Sequence, residues 1–229
     1  MSQNLLKRII TSIILLVLLF FINFSHQYIF ILSILLLGVV ICIEANNIFS
    51  KLISSQMLKK NSLFTTFNPK FFILNFLTFF YTFFIFCNLS YEIHNSEGPI
   101  FFLYIISICF LTDIGGYVFG KLIGGKKLSK ISPNKTISGT IGSFIFSIFP
   151  LIIFLNLGYL NLEFNFNNIL LCLLVSLISQ LGDLFISFFK RKAKIKDTGK
   201  LLPGHGGVLD RVDGIIFAIP FAYFLLKLF

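Results

Sequence analysis

Long apolar runs are the feature of this sequence that most limits its fold. A helix needs about 20 apolar residues to cross a hydrocarbon core about 30 Å thick. Seven runs reach or approach that length, at residues 9–24, 28–45, 71–89, 99–119, 140–158, 168–189 and 214–229. Within lipid, backbone polar groups must pair inside their own structure, which favours helices for runs this long. The sequence therefore predicts an all-α, polytopic membrane protein with about seven transmembrane helices.

The overall composition agrees with a membrane protein. Hydrophobic residues make up 56% of the 229 residues and charged residues 12%, whereas soluble proteins contain about 25% charged residues. The net charge is +10, but the basic residues lie between apolar runs rather than along one soluble face. This pattern argues against nucleic acid as a partner and favours the lipid bilayer. We therefore predict one integral-membrane domain over residues 1–229.

The basic residues are distributed unevenly between the loops. Eighteen of the nineteen Lys and Arg residues fall in the N-terminus and in segments 46–70, 120–139 and 190–213. No Lys or Arg occurs in the intervening loops, 25–27, 90–98 and 159–167. Cytoplasmic loops of membrane proteins carry an excess of these residues. The sequence therefore predicts that the N-terminus and all four basic segments are cytoplasmic.

Four acidic residues lie within apolar runs or directly beside one. Asp113 and Asp183 are each six residues before the end of a run, about 9 Å below the predicted cytoplasmic end of the helix. Asp210 and Asp213 come just before the last run, on the same predicted side. Ionisable residues in apolar helices are costly and usually mark a function, so we expect the four to share one cytoplasm-facing layer. Glu44 closes the second run, where an interfacial residue is one interpretation.

Two predicted helix faces beside these acids carry polar or small residues. In the sixth run, a stripe at three- and four-residue intervals consists of Ser176, Ser179, Gln180, Asp183 and Ser187. In the fourth run, the residues that follow Asp113 on its own face are Gly116, Tyr117 and Gly120. Glycine there allows another helix or a ligand to come close. These faces favour a functional site over ordinary helix packing.

The 190–213 loop combines basic residues, glycines and acids. Its Gly-His-Gly-Gly stretch at 204–207 exposes backbone N–H groups to a ligand. Asp210 and Asp213, three residues apart, would project from one side of a helical turn and suit a hard cation such as Mg²⁺. Arg211 between them could bind a phosphate oxygen. In the 120–139 loop, phosphate could be held by Lys135 and Thr136.

Four stretches of the chain resemble one enzyme family. Residues 187–214 read SFFKRKAKIKDTGKLLPGHGGVLDRVDG, which resembles the signature of the phosphatidate cytidylyltransferase (CDP-diglyceride synthase) family. Shorter stretches that agree with this family are DIGGY at 113–117, SPNKT at 132–136 and GDL at 182–184. The resemblance runs from about Leu111 to Gly214. Positions that depart from the family pattern, and to which no catalytic role is assigned, are Asn134, Ile137, Ser138 and Ile186.

The resemblance implies a nucleotidyltransferase of phospholipid biosynthesis that joins CTP and phosphatidate into CDP-diacylglycerol and releases pyrophosphate. It implies a Mg²⁺ or Mn²⁺ cofactor, with the metal ligands Asp183, Asp210 and Asp213. The same three acids are expected to act in catalysis together with Lys190, Arg191 and Arg211. Substrate-binding residues implied by the resemblance are Asp113, Ser132, Lys135, Thr136, Lys196, Asp197, His205, Gly206 and Gly207. We expect His205 to donate or accept hydrogen bonds rather than to act as a base.

We also predict how the chain is organised and where it lies. We expect N-terminal spans over 1–98, catalytic spans with two cytoplasmic loops over 99–214, and a last span over 215–229. The expected location is a bacterial-type inner membrane with the active site facing the cytoplasm, and a homodimer is an open alternative. Other functions left open are a CTP-dependent kinase of a membrane alcohol, an ion-coupled transporter with midplane acids, and a lipid-binding scaffold.

Overall fold

The structure is a computed structural model that describes residues 3–58, 69–129, 132, 135–158, 160 and 162–228. The described chain is helical and has no β-strand beyond two isolated bridges. Its helices are α1 (Gln3–Asn23), α2 (Gln27–Leu58), α3 (Pro69–Phe80), α4 (Asn88–Ser96), α5 (Pro99–Leu122), α6 (Ile137–Ser147), α7 (Phe149–Leu157), α8 (Phe166–Lys192), α9 (Leu209–Val212) and α10 (Ile215–Leu228). The predicted all-α class is confirmed.

Six helical segments are long and apolar enough to cross a membrane, among the residues that the structure describes. They are Leu6–Asn23, Gln27–Ser54, Pro69–Ser96, Pro99–Leu122, Ile137–Leu157 and Phe166–Lys192, and they coincide with the first six apolar runs. The seventh run forms α10, whose 14 residues span about 21 Å. The polytopic membrane fold is therefore confirmed, whereas the count of seven spans and the cytoplasmic N-terminus stay predictions.

The second helix extends further than its apolar run. We expected a loop over 46–70, but α2 continues to Leu58, so this expectation is wrong for residues 46–58. Hydropathy marks the lipid-facing part of a helix, and a helix can continue into the polar region beyond it. Lys59 and Lys60 lie outside the described residues.

Two of the spanning segments are not regular α-helices throughout. A π-helical stretch, Tyr81–Cys87, lies between α3 and α4. The segment over 140–158 is divided at Ile148, where α6 ends and α7 begins. Pro150 lies in the first turn of α7, a position that tolerates proline because its missing N–H would have no helical partner.

The chain forms two compact units. The first comprises Met1–Asn88 and Phe189–Val212, and the second comprises Leu89–Phe188 and Asp213–Phe229. The single domain over 1–229 stays a prediction.

Helices α5 and α6 of the second unit pack at very short range. A Cβ atom at Gly115 would lie 2.5 Å from the Gly142 carbonyl oxygen, and one at Gly116 would lie 2.7 Å from Ser143 Oγ. Real Cβ atoms essentially never show contacts under 3.0 Å. The glycines after Asp113 therefore permit the close helix approach that the sequence predicts, and this approach places the start of α6 beside the Asp113 turn of α5.

Candidate active site

In the first unit, the loop after α8 closes around the carboxylate of Asp210. Lys190 in the last turn of α8 donates from Nζ to Asp210 Oδ1 at 2.8 Å. The other oxygen, Oδ2, accepts the backbone N–H groups of Thr198 at 2.8 Å and of Gly207 at 3.0 Å. The Lys190 and Asp210 side chains are only 11% and 7% exposed. Asp210 thus holds the 190–212 loop together, because its carboxylate bonds to Lys190, Thr198 and Gly207.

The charge state of Asp210 follows from these contacts. Burial of the carboxyl raises its pKa, but the hydrogen bond from Lys190 and the N–H groups of Thr198 and Gly207 outweigh that effect. The pKa of Asp210 therefore lies below its ordinary value of 3.8. The carboxylate is ionised at neutral pH.

The Gly-His-Gly-Gly stretch forms a tight turn against α1. Gly204 and Gly206 have φ angles of 78° and 88°, a region that favours glycine. Arg8 Nε donates to the Gly204 carbonyl at 2.9 Å, and Thr11 Oγ1 lies 2.5 Å from His205 Nδ1. The first helix therefore fixes this turn, a contact that local sequence patterns cannot reveal.

His205 is held in its neutral form. Desolvation lowers its pKa below the ordinary 6.5, and the positive charges of Arg211 and Arg8 lower it further. The His205 carbonyl also accepts a hydrogen bond from the Arg211 guanidinium at 2.8 Å. A neutral imidazole paired with Thr11 suits hydrogen bonding, in line with the expectation for His205.

The other charged residues of this loop lie at its surface. Those expected to act on substrate, all of them exposed, are Arg191, Lys196, Asp197 and Arg211. Gly206 lies against Asp210, because a Cβ atom there would stand 3.0 Å from Oδ2. Exposed cations around a fixed, ionised carboxylate form a surface that can receive an anionic ligand.

Glu44 is a member of this group that the sequence reasoning missed. Its side chain is buried within the protein, with 4% exposure, and its place at the membrane interface stays an interpretation. Its carboxylate accepts the Thr198 hydroxyl at 2.6 Å and the N–H groups of Val208 and Leu209 at 3.0 and 2.9 Å. The available signal was a lone acid at the end of an apolar run, and its partners lie more than 150 residues away along the chain.

In the second unit, a cavity of about 310 Å³ brings five predicted residues together. They are Asp113, Ser132, Lys135, Thr136 and Asp183. Three different segments contribute them: α5, the loop before α6, and α8. The cavity volume lies at the lower end of the range for small-molecule sites. The structure therefore brings Asp113 and Asp183 together with Ser132, Lys135 and Thr136, whereas the roles expected of them stay predictions.

A close ion pair joins two walls of the cavity. Lys135 Nζ lies 2.5 Å from Asp183 Oδ2, and the Ser187 hydroxyl donates to the other carboxylate oxygen at 3.2 Å. Thr136 caps α6 by accepting the Gly139 N–H at 3.1 Å, which fixes the backbone directly after Lys135. The neighbouring Pro133 and Asn134 lie outside the described residues.

The predicted polar stripe on α8 faces the interior of the second unit. Ser176, Ser179 and Gln180 are buried, and Gln180 Nε2 donates to Ser176 Oγ at 3.2 Å. Asp183 continues this stripe into the cavity. The three- and four-residue spacing therefore identified the inward face correctly.

The predicted metal ligands are divided between the units. Asp210 belongs to the first unit, and Asp183 and Asp213 belong to the second. Asp213 accepts the Gly214 N–H at 3.0 Å. In the described part of either unit, no three His, Cys, Asp or Glu side chains are grouped so that they could hold a metal ion. A site that joins all three acids stays a prediction.

The donor chemistry of the cavity does fit a hard cation. Asp113 and Asp183 present carboxylate oxygens, and Ser132 and Thr136 present hydroxyl oxygens. Mg²⁺ binds through one or two carboxylates, retained waters and substrate phosphates rather than through a full protein cage. Two carboxylates on one cavity meet that requirement.

Comparison with known proteins identifies the family of this chain. The model of the cytidylyltransferase family matches residues 52–229, which include both the cavity and the 190–212 loop. The chain belongs to the cytidylyltransferase family. The match covers well over half of the sequence, and it includes every residue predicted for the site.

Individual relatives carry a more specific name. Over 136 residues the chain is 46% identical to the phosphatidate cytidylyltransferase of Staphylococcus haemolyticus and 48% identical to that of Staphylococcus aureus strain COL. Over 146 residues it is 42% identical to the phosphatidate cytidylyltransferase of Bacillus subtilis. These regions cover 58–60% of this chain and 51–52% of the relatives. The chain thus spans about half the length of the curated relatives it matches.

Proposed function

We propose that this protein transfers the cytidylyl group of CTP to phosphatidate, forming CDP-diacylglycerol and pyrophosphate. The single observation that carries the proposal is the 190–212 loop. Its family-like residues form one structure around an ionised, mostly buried Asp210. Relatives named phosphatidate cytidylyltransferase support the choice of reaction. The names of these relatives favour cytidylyl transfer over the three alternatives: a membrane-alcohol kinase, a transporter and a scaffold.

The chemistry sets a clear electrostatic task. A phosphatidate oxygen attacks the α-phosphorus of CTP, the bond from that phosphorus to the β-phosphate oxygen breaks, and pyrophosphate leaves. Attacker and target are both anionic, so the protein must hold them in line and offset their repulsion. In the first unit, exposed cations able to bind phosphate are Arg191, Lys196 and Arg211. In the second, Lys135 lies on the cavity wall.

No general base is needed for this attack. A phosphate monoester has a second pKa of about 6 and is already ionised at neutral pH. His205 is neutral and engaged with Thr11, so we assign it to hydrogen bonding in the turn. Lys190 keeps Asp210 in place, and the exposed Arg211 guanidinium, which donates one hydrogen bond to the His205 carbonyl, has further N–H groups for a ligand phosphate.

We further propose that Mg²⁺ or Mn²⁺ is required. When bound, the metal would neutralise phosphate charge during the displacement. Asp183 with Asp113 would hold it in the second unit, and Asp210 and Asp213 remain proposed ligands by family resemblance. The metal ion would then take the place of the Lys135 ammonium group beside the Asp183 carboxylate. Lys135 would instead contact a substrate phosphate.

The proposed location is a bacterial inner membrane, with the active site facing the cytoplasm. The distribution of Lys and Arg supports this orientation, and CTP is supplied from the cytoplasmic side. A homodimer is also part of the proposal.

The decisive experiment incubates the purified full chain in lipid nanodiscs containing phosphatidate with CTP and Mg²⁺, followed by mass analysis of the lipids. We expect CDP-diacylglycerol with release of pyrophosphate and no product in excess chelator. Asp210→Asn should form no product, whereas Lys126→Ala, which removes an exposed cation of the 120–139 loop, should keep most of the activity. A phosphorylated lipid alcohol with release of CDP would instead identify a kinase and refute the proposal.

A further inference from the structure

Glu44 is a buried carboxylate in α2 to which the proposed reaction gives no role so far. Its side chain is 4% exposed, and ionisable residues in spanning helices are costly and usually functional. Oε1 accepts the Val208 N–H at 3.0 Å, and Oε2 accepts the Thr198 hydroxyl at 2.6 Å and the Leu209 N–H at 2.9 Å. All three donors belong to the 190–212 loop, so this acid of α2 is satisfied entirely by that loop.

Two glycines of the loop make room for the Glu44 carboxylate. A Cβ atom at Gly199 would lie 2.5 Å from Glu44 Oε1, and one at Gly207 would collide with Glu44 Oε2 and with the Thr198 hydroxyl oxygen. Neither glycine has a positive φ angle. Glycine is therefore needed at both positions for space and not for backbone conformation. The loop is built around the Glu44 side chain.

The same short stretches of loop also hold Asp210. The Thr198 hydroxyl has one hydrogen, and its oxygen lies 2.6 Å from Glu44 Oε2 but 3.1 Å from Asp210 Oδ2, so it donates to Glu44. The Thr198 N–H donates to Asp210 instead. In the second stretch, the Gly207 N–H donates to Asp210 and the adjacent Val208 N–H donates to Glu44. Each stretch is thus fixed between the two carboxylates.

We propose that Glu44 is a positioning residue for the cytidylyl transfer: through Thr198 and the 207–209 backbone it sets the place of Asp210. This inference rests on the proposed function. Glu44 itself is enclosed by the loop and acts through Asp210 and its neighbours.

The test variant is Glu44→Gln in the full chain, reconstituted in nanodiscs. Glutamine has the same length, but its NH₂ group would face backbone N–H donors in place of an acceptor oxygen. We expect the amides of Thr198 and Gly207, which bond to Asp210 and not to Glu44, to exchange hydrogen about 10-fold faster. We expect kcat/KM for CTP, per folded molecule, to fall about 100-fold because the site is displaced.

Phe30→Leu is the matched control. Phe30 is a buried residue of the same helix, 1% exposed, and lies fourteen residues before Glu44, about 21 Å along the helix axis. The Phe30→Leu substitution should lower the melting temperature. It should leave the amide exchange of the loop and kcat/KM per folded molecule as in the wild type. The control separates loss of stability from loss of positioning.

The outcomes distinguish the two proposals. Unchanged exchange at Thr198 and Gly207 in folded Glu44→Gln would overturn the positioning role, and so would faster exchange with unchanged kcat/KM per folded molecule. A wild-type protein that makes no CDP-diacylglycerol would refute the proposed function. In that case the exchange measurement still decides the role of Glu44. Faster exchange in Glu44→Gln would show that Glu44 positions Asp210, and unchanged exchange would show that it does not.

Discussion

The pairing of Lys190 with Asp210 makes a quantitative prediction for Asp210→Asn. The substitution keeps the size of the side chain and one acceptor oxygen, but it removes the charge that faces Lys190 Nζ at 2.8 Å. Both side chains are largely buried, so the ammonium group loses the carboxylate charge that it faces. Removing one partner of a buried ion pair costs about 3–5 kcal/mol, which corresponds to a melting temperature about 10 °C lower in a chain of this size.

A second substitution tests whether the loss of charge opposite Lys190 is the cause of the lower melting temperature. Lys190→Met in the Asp210→Asn background removes the ammonium charge, so we expect it to restore most of the lost melting temperature. Activity should stay absent, because Asp210 is still missing from the loop. The assay is thermal unfolding and CDP-diacylglycerol formation on the same nanodisc preparation. The ion-pair reasoning fails if Asp210→Asn melts as the wild type does, or if the double variant melts no higher than Asp210→Asn alone.

Three further predictions concern the cavity, the turn and the topology. Lys135→Ala should raise KM for a substrate phosphate about 10-fold without unfolding the protein, and unchanged steady-state kinetics for both substrates would reduce its stretch to a connecting loop. The pKa of His205 in the folded protein lies below 6.5, so the unfolded chain takes up the proton first as pH falls. The folded protein therefore loses stability between pH 6.5 and that lower pKa. Arg8→Gln should raise this pKa and reduce the acid sensitivity of the turn, as NMR titration of labelled histidine would show, and an unmoved pKa would contradict the assigned charge effect. Cysteines at Ser96 and at the exposed Lys200, in a Cys-free variant, should label from opposite sides of the membrane, and labelling of both from one side would overturn the predicted orientation.

The periodic parts of the site could be predicted from the sequence. The polar stripe that ends at Asp183 follows helical spacing, and the glycines after Asp113 indicated a close approach that α6 makes. The sequence assigned Lys135 to phosphate binding and Asp183 to metal binding, and it did not predict the ion pair between them. The 46–58 segment was mistaken for a loop, because hydropathy measures affinity for lipid and does not report where helical hydrogen bonding stops.

The contacts of Glu44 and of the Gly-His-Gly-Gly turn could not be predicted. Glu44 and Thr198 are 154 residues apart, and Arg8 and Gly204 are 196 apart. No local pattern encodes such pairs, since each depends on where packing brings two distant segments.

The sequence by itself determined the helical membrane fold, the places of six spanning segments and the family, because apolar length, helical spacing and a dense motif are local properties. The tertiary structure decided which charges meet. It placed Lys190 on Asp210 and Lys135 on Asp183, and it buried Glu44 between two glycines of the loop. A carboxylate in a low-dielectric interior is stable only where donors surround it, and only the folded chain brings those donors together.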